Sequence, residues 1–184
     1  MKIFLLCAFA ALGGSVACAQ QGLESPWDVR QILTELNAQT GQLKPLLAQL
    51  NPGLWVNKGA STTYIQQWQG AQGQLKDVLA STQQLGQKTE SLTLALDTYF
   101  RLEALETTAR SLTEGAERYG DRTTADQLNA YVARSFTSRQ RLRDYLEDLA
   151  ASTEQNFKIA DEEAQRCRGI ISKEAPQSSK KKKQ

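Results

Sequence analysis

The chain reads as all-α: an antiparallel bundle of three or four long amphipathic helices followed by a disordered C-terminal tail. Three observations predict this. Apolar residues recur at steps of three and four over long windows, as one face of a helix requires. Gly and Pro, the strongest local punctuators, are sparse after residue 60. No stretch alternates apolar and polar residues as a half-buried strand would.

The first helix is expected from Ser25-Pro26-Trp27-Asp28, with Ser at the cap, Pro at the first helical position and an acid in the first turn. Val29, Ile32, Leu33, Leu36, Leu43, Leu46, Leu47 and Leu50 follow at helical spacing. Gly41 and Pro45 predict a kink or break near Lys44, and Asn51-Pro52-Gly53 a stop. A second helix starts near Ser61 or Thr62, with Ile65, Trp68, Leu75, Val78, Leu79 and Leu85 on its stripe. The row continues through Leu92, Leu96, Tyr99, Leu102 and Leu105. Gly86 to Thr89 predicts a turn between the two parts, although one isolated Gly costs a helix only ~1 kcal/mol and a continuous helix to about residue 118 is the alternative.

Tyr119-Gly120-Asp121-Arg122 is the next break, with Thr123 or Thr124 as the following cap. The last helix carries the clearest pattern. Leu128, Tyr131, Val132, Leu142, Tyr145, Leu146, Leu149, Thr153, Phe157, Ala160, Ala164, Cys167 and Ile171 lie on one face, and the helix is expected to project beyond the others. Residues 173–184, KEAPQSSKKKKQ, are polar and proline-broken, and predict disorder.

Three segments result: a leader over 1–19, a helical domain over 20–172 and a Lys-rich tail over 173–184. Lys2, the apolar run Ile3 to Leu12, and Ala17-Cys18-Ala19 have the layout of a secretory signal, with Gln20 as the first mature residue. Ten apolar residues are too few for a permanent span, which needs roughly 20. Cleavage before Cys18, leaving a lipid-bearing cysteine, is the alternative. Lipoprotein leaders carry Leu three residues before that Cys, and Ser15 stands there, which favours cleavage after Ala19. The expected location is therefore exported, periplasmic or secreted, with lipid anchoring as the lesser reading.

Composition narrows the chemistry. Of 22 Lys+Arg, Lys2 and five residues of 173–184 lie outside the helical domain, and of 20 Asp+Glu only Glu174 does. The domain thus holds 16 cations against 19 anions, about −3, and offers nucleic acid no footprint. The chain has no His, which removes Ser-His-Asp and Cys-His catalysis, HExxH zinc sites and the Glu-x-x-His motif of di-iron bundles. Cys167 is the one Cys outside the leader, so no internal disulfide is expected. No catalytic set, metal site or cofactor site is predicted. Glu103 with Glu106, and Glu114 with Glu117, read as solvated faces matched by neighbouring Arg, with Glu106–Arg110 and Glu114–Arg118 as i,i+4 pairs. An enzymatic reading would need Glu103, Glu106 or Tyr99 to converge on a pocket.

Five features are candidates for contacts. Cys167 continues an apolar row and reads first as a buried structural Cys, with an intermolecular disulfide as the sharper alternative. Leu54-Trp55-Val56 reads as a plug over the bundle end, or else Trp55 is an exposed partner contact. Arg134, Arg139, Arg141 and Arg143 read as a salt-bridged solvent face, with an anion-binding stripe as the alternative, and QQWQGAQGQ (66–74) as an uncharged helix surface. Lys180, Lys181, Lys182 and Lys183 read first as a disordered solubilising end, with weak contact to an anionic surface, at ~1 kcal/mol per cation, as the alternative. The functional expectation is an exported, non-enzymatic protein acting through protein partners in the envelope, as adaptor, chaperone-like binder or structural subunit. Self-assembly through exposed helix faces is the alternative.

Overall fold

The computed structural model describes residues 26–174. Among them there is no strand, and no helix is long and apolar enough to cross a membrane. Among the described residues six helices stand where three or four were expected: α1 (Pro26–Gly41), α2 (Leu43–Gln49), α3 (Pro52–Asn57), α4 (Thr63–Gln87), α5 (Leu92–Tyr119) and α6 (Arg122–Glu174). The extra pieces come from proline chemistry in the first arm. Pro45 has no N–H to donate and its ring crowds the carbonyl one turn back, so α1 ends at Gly41 and α2 begins after Gln42. The expected stop at Asn51-Pro52-Gly53 is instead a restart. The Asn51 side chain accepts the Leu54 N–H at 3.3 Å and Pro52 fills the first helical position of α3.

The remaining ends follow local capping. Ser61 Oγ accepts the Thr63 N–H at 3.2 Å where α4 begins. Four residues, 88–91, separate α4 from α5, so the turn is present and the continuous alternative is not. Gly86 itself lies inside α4, against Leu33. Ser91 caps α5 by accepting the Leu94 N–H at 3.4 Å. The cap of α6 is Asp121 rather than Thr123 or Thr124. Its carboxylate accepts the Thr124 N–H at 2.9 Å and the Thr124 hydroxyl at 3.1 Å, and these bonds hold its pKa below the usual carboxylate range. The helix also runs through Lys173 and Glu174, two residues that the sequence places in the tail.

Side-chain pairs define the packing. Arg30 reaches the Gly86 carbonyl, Thr82 bonds Asn37, and Trp68 Nε1 donates to Leu47 O at 2.7 Å, so α1–α2 runs antiparallel to α4. Gln67 meets Ser111 and Asp77 meets Arg101, which sets α4 antiparallel to α5. Glu117 meets Asn129 and Glu106 meets Arg139, so α5 and α6 are antiparallel too. Glu35 meets Arg141 and Gln42 meets Arg134, closing the ring between α1–α2 and α6. The core between these four rods is one cluster that includes Leu36, Leu47, Val78, Leu85, Leu105, Leu112, Leu128 and Leu142.

The ring stops part-way along α6. Pro26 begins α1 and Leu92 begins α5, and the link between α4 and α5 is tied to α6 where the Tyr145 hydroxyl donates to the Thr89 carbonyl. Leu149 is the last buried residue of α6, and no residue from 150 to 173 is buried. At ~1.5 Å per residue, residues 151–174 extend roughly 36 Å past the bundle end.

Candidate functional site

Four parts of this fold bear on function: a polar layer inside the bundle, an aromatic plug at one end, a surface groove and the free arm of α6. The polar layer centres on Glu106, only 2% exposed. It accepts from Ser135 Oγ at 2.5 Å and from Arg139 Nε at 2.8 Å, so both carboxylate oxygens have donors. Glu103 lies 3.7 Å from the same guanidinium, and Tyr99 Oη accepts from it at 3.4 Å. The reading of Glu106 as a solvated face paired with Arg110 is thus corrected. Its partner is on the facing helix, because the Glu106 position points into the bundle. Burial disfavours the Arg139 charge, but Glu106 and Tyr99 outweigh it, and the pKa rises above the usual guanidinium value.

Tyr131 is buried beside this layer, with the Ser135 and Thr40 hydroxyls close enough to its phenol to hold its pKa down in part. Burial pushes its pKa up to about 12, and the nearby Glu106 charge adds to the rise. The cluster is a closed ion pair rather than an open pocket: Glu103, Glu106 and Tyr99 converge, but the Arg139 side chain fills the space between them. Among the described residues no group of three or more His, Cys, Asp or Glu is placed to hold a metal ion. The four Arg of the basic cluster also separate. Arg134 bonds Gln42, Arg139 enters the polar layer, Arg141 pairs with Glu35, and only Arg143 makes an in-helix pair, with Glu147 at 2.8 Å.

At the opposite end from the arm, α3 folds under the bundle. Trp55 is 3% exposed, so it is not a partner contact on the free surface. Its ring meets Tyr64 edge-on with centroids 5.7 Å apart, and Tyr64 in turn meets Tyr119 at 6.4 Å. Room for the indole comes from Gly115 in α5. A Cβ there would stand 2.8 Å from Trp55 and from Tyr64. Lys58 Nζ donates to the Tyr119 carbonyl at 2.7 Å and satisfies the end of α5. The neighbouring Leu54 remains 56% exposed. A groove of about 370 Å³ lies between α2 and α4, floored by Leu47, Trp68, Leu75 and Leu79 and rimmed by Lys44 and Lys76.

The free arm is the fourth part. Phe157 is 75% exposed, Ile171 70% and Ile170 55%, and Ala160 is exposed as well. Cys167 is a free, exposed thiol, which corrects its reading as a buried structural residue: nothing in the described chain packs on α6 beyond Leu149. These side chains prolong the row whose earlier members, Leu128, Tyr131, Leu142, Tyr145 and Leu149, are the core face of α6. One helix therefore carries one apolar stripe, covered over its first half and bare over its second.

Ala17, Cys18, Ala19 and Gln20, and Lys180, Lys181, Lys182 and Lys183, lie outside the described residues, as does the Ser25 cap. The polar layer has a sequence signal in Ser135 and Ser138, which sit at core positions of the α6 stripe. The plug had one too, since Gly115 inside a helical pattern marks a close approach. Compared with protein-family models, curated proteins and solved structures, the chain gives no match.

Proposed function

We propose that this chain is an exported, non-enzymatic protein of the cell envelope that works through protein–protein contacts, with the free end of α6 as its contact surface. The observation that carries this reading is the bare half of the stripe. Phe157, Ala160, Ala164, Cys167 and Ile171 continue a core row for more than three turns with no covering element among the described residues. A contiguous apolar row kept in water has a cost unless another surface meets it. The long-helix bundle is then a scaffold that holds this arm away from itself. The closed Glu106–Arg139 pair and the lack of His support contact rather than turnover. The leader gives the route of export, and Lys180 to Lys183 add a weak anionic-surface contact.

Truncation tests this. A chain ending at Ala150 is expected to keep the cooperative thermal transition of the full protein within a few degrees. It should lose the crosslinks that the full chain forms in its native compartment. A large drop in melting temperature would make the arm part of the core, and retained crosslinks would place the contact elsewhere.

A further inference from the structure

We infer that the arm of α6 pairs with the same arm of a second copy, running antiparallel. This rests on the arm being the contact surface and names its partner. Three features of the arm point to a second copy in that orientation.

The first is steric. The bare stripe is collinear with the covered one, so it faces along the prolonged axis of its own bundle. A parallel partner lying on it would run straight into the end of that bundle, where α1 starts and the α4–α5 link crosses. An antiparallel partner enters from the tip of the arm. Its own bundle then lies beyond Glu174 of the first copy, and the two bodies stay apart.

The second is charge. On an α-helix at ~100° per residue, Asp161 and Arg168 fall on the same edge of the stripe, seven residues apart. Antiparallel helices meet like edge to like edge, so Asp161 of each copy faces Arg168 of the other, twice by symmetry. No ion pair among the described residues engages either one. A parallel pair gives Asp161 no basic neighbour.

The third is side-chain size. In the register that pairs Asp161 with Arg168, Ala164 lies level with Cys167 of the second copy and Ala160 with Ile171. Small residues occupy the centre, where two helix backbones approach closely, and Phe157 and Ile171 close the ends. The two Cys167 residues are nearly one turn apart along the axis, so the interface is non-covalent. It is short, below the ~1,200 Å² of standard interfaces, so the dimer is weak and forms at high local concentration.

The test is the weight-average mass by static light scattering on the full chain, as the cell processes it, from ~10 μM to ~1 mM, where interfaces of this size associate. The weight-average mass should rise toward the dimer. Asp161→Arg and Arg168→Asp should each weaken association roughly fivefold or more by placing like charges together, and the double exchange should restore it. Phe157→Glu should abolish it. A strict monomer at ~1 mM would overturn the inference while leaving the contact surface standing, provided Phe157→Glu still removes native crosslinks. Loss of neither would overturn both. A dimer that the double exchange fails to restore, or one linked through Cys167, would overturn the antiparallel register.

Discussion

The two halves of α6 share a sequence pattern and differ in surroundings. Leu128, Leu142 and Leu149 are buried on the face of α6 that packs against α5, α1 and α2, whereas Phe157 and Ile171 are exposed on the same face. Helical periodicity records that a face is apolar, because it reports where side chains point. It does not record what lies opposite. The second half shows the consequence: an amphipathic pattern of the same quality can mark a core or an interface, and only the position of the other helix ends tells them apart.

The sharpest way to break that comparison is to truncate one residue in each half. Leu142→Ala, at 0% exposure, is expected to cost about 2–5 kcal/mol of stability. Phe157→Ala should cost under about 0.5 kcal/mol in dilute solution, where the arm has no cover. Denaturant unfolding of both variants measures the difference. Equal costs would mean that the arm is covered by its own chain.

A smaller effect sharpens the covered half. The Tyr131 pKa is raised from 10.0 to about 12, so the neutral phenol is the form the fold accepts. Its contribution is fully present below pH ~10 and is lost as pH rises through about 12, a swing of roughly 3 kcal/mol at ~1.4 kcal/mol per unit. Melting curves between pH 9 and 12, a range set by those two values, should show the loss in the native chain. Tyr131→Phe should flatten it.

The all-α class, the breaks near residues 42, 88 and 120, and the projecting last helix were legible in the sequence, because capping, proline and periodicity are local. Asn51 was read as an end and is a start, since Pro52 serves both purposes until the next turn is seen. What the candidate site needed was non-local. Glu106 pairs with a residue 33 positions away, and a sequence reading at i,i+4 spacing finds Arg110 instead. Trp55 is buried because Gly115 leaves room sixty residues later. Cys167 sits on an apolar row, as read, but its exposure depends on where α1 and α5 begin.

Hydrogen exchange along α6 tests the central claim most directly, because it compares the halves within one molecule. In dilute solution amides of residues 128–149 should be protected to near the global stability, and those of residues 152–172 should exchange far faster. Raising the concentration should slow the second group alone. Equal protection of both halves in the dilute monomer would contradict the account, since the arm would then be covered by its own chain.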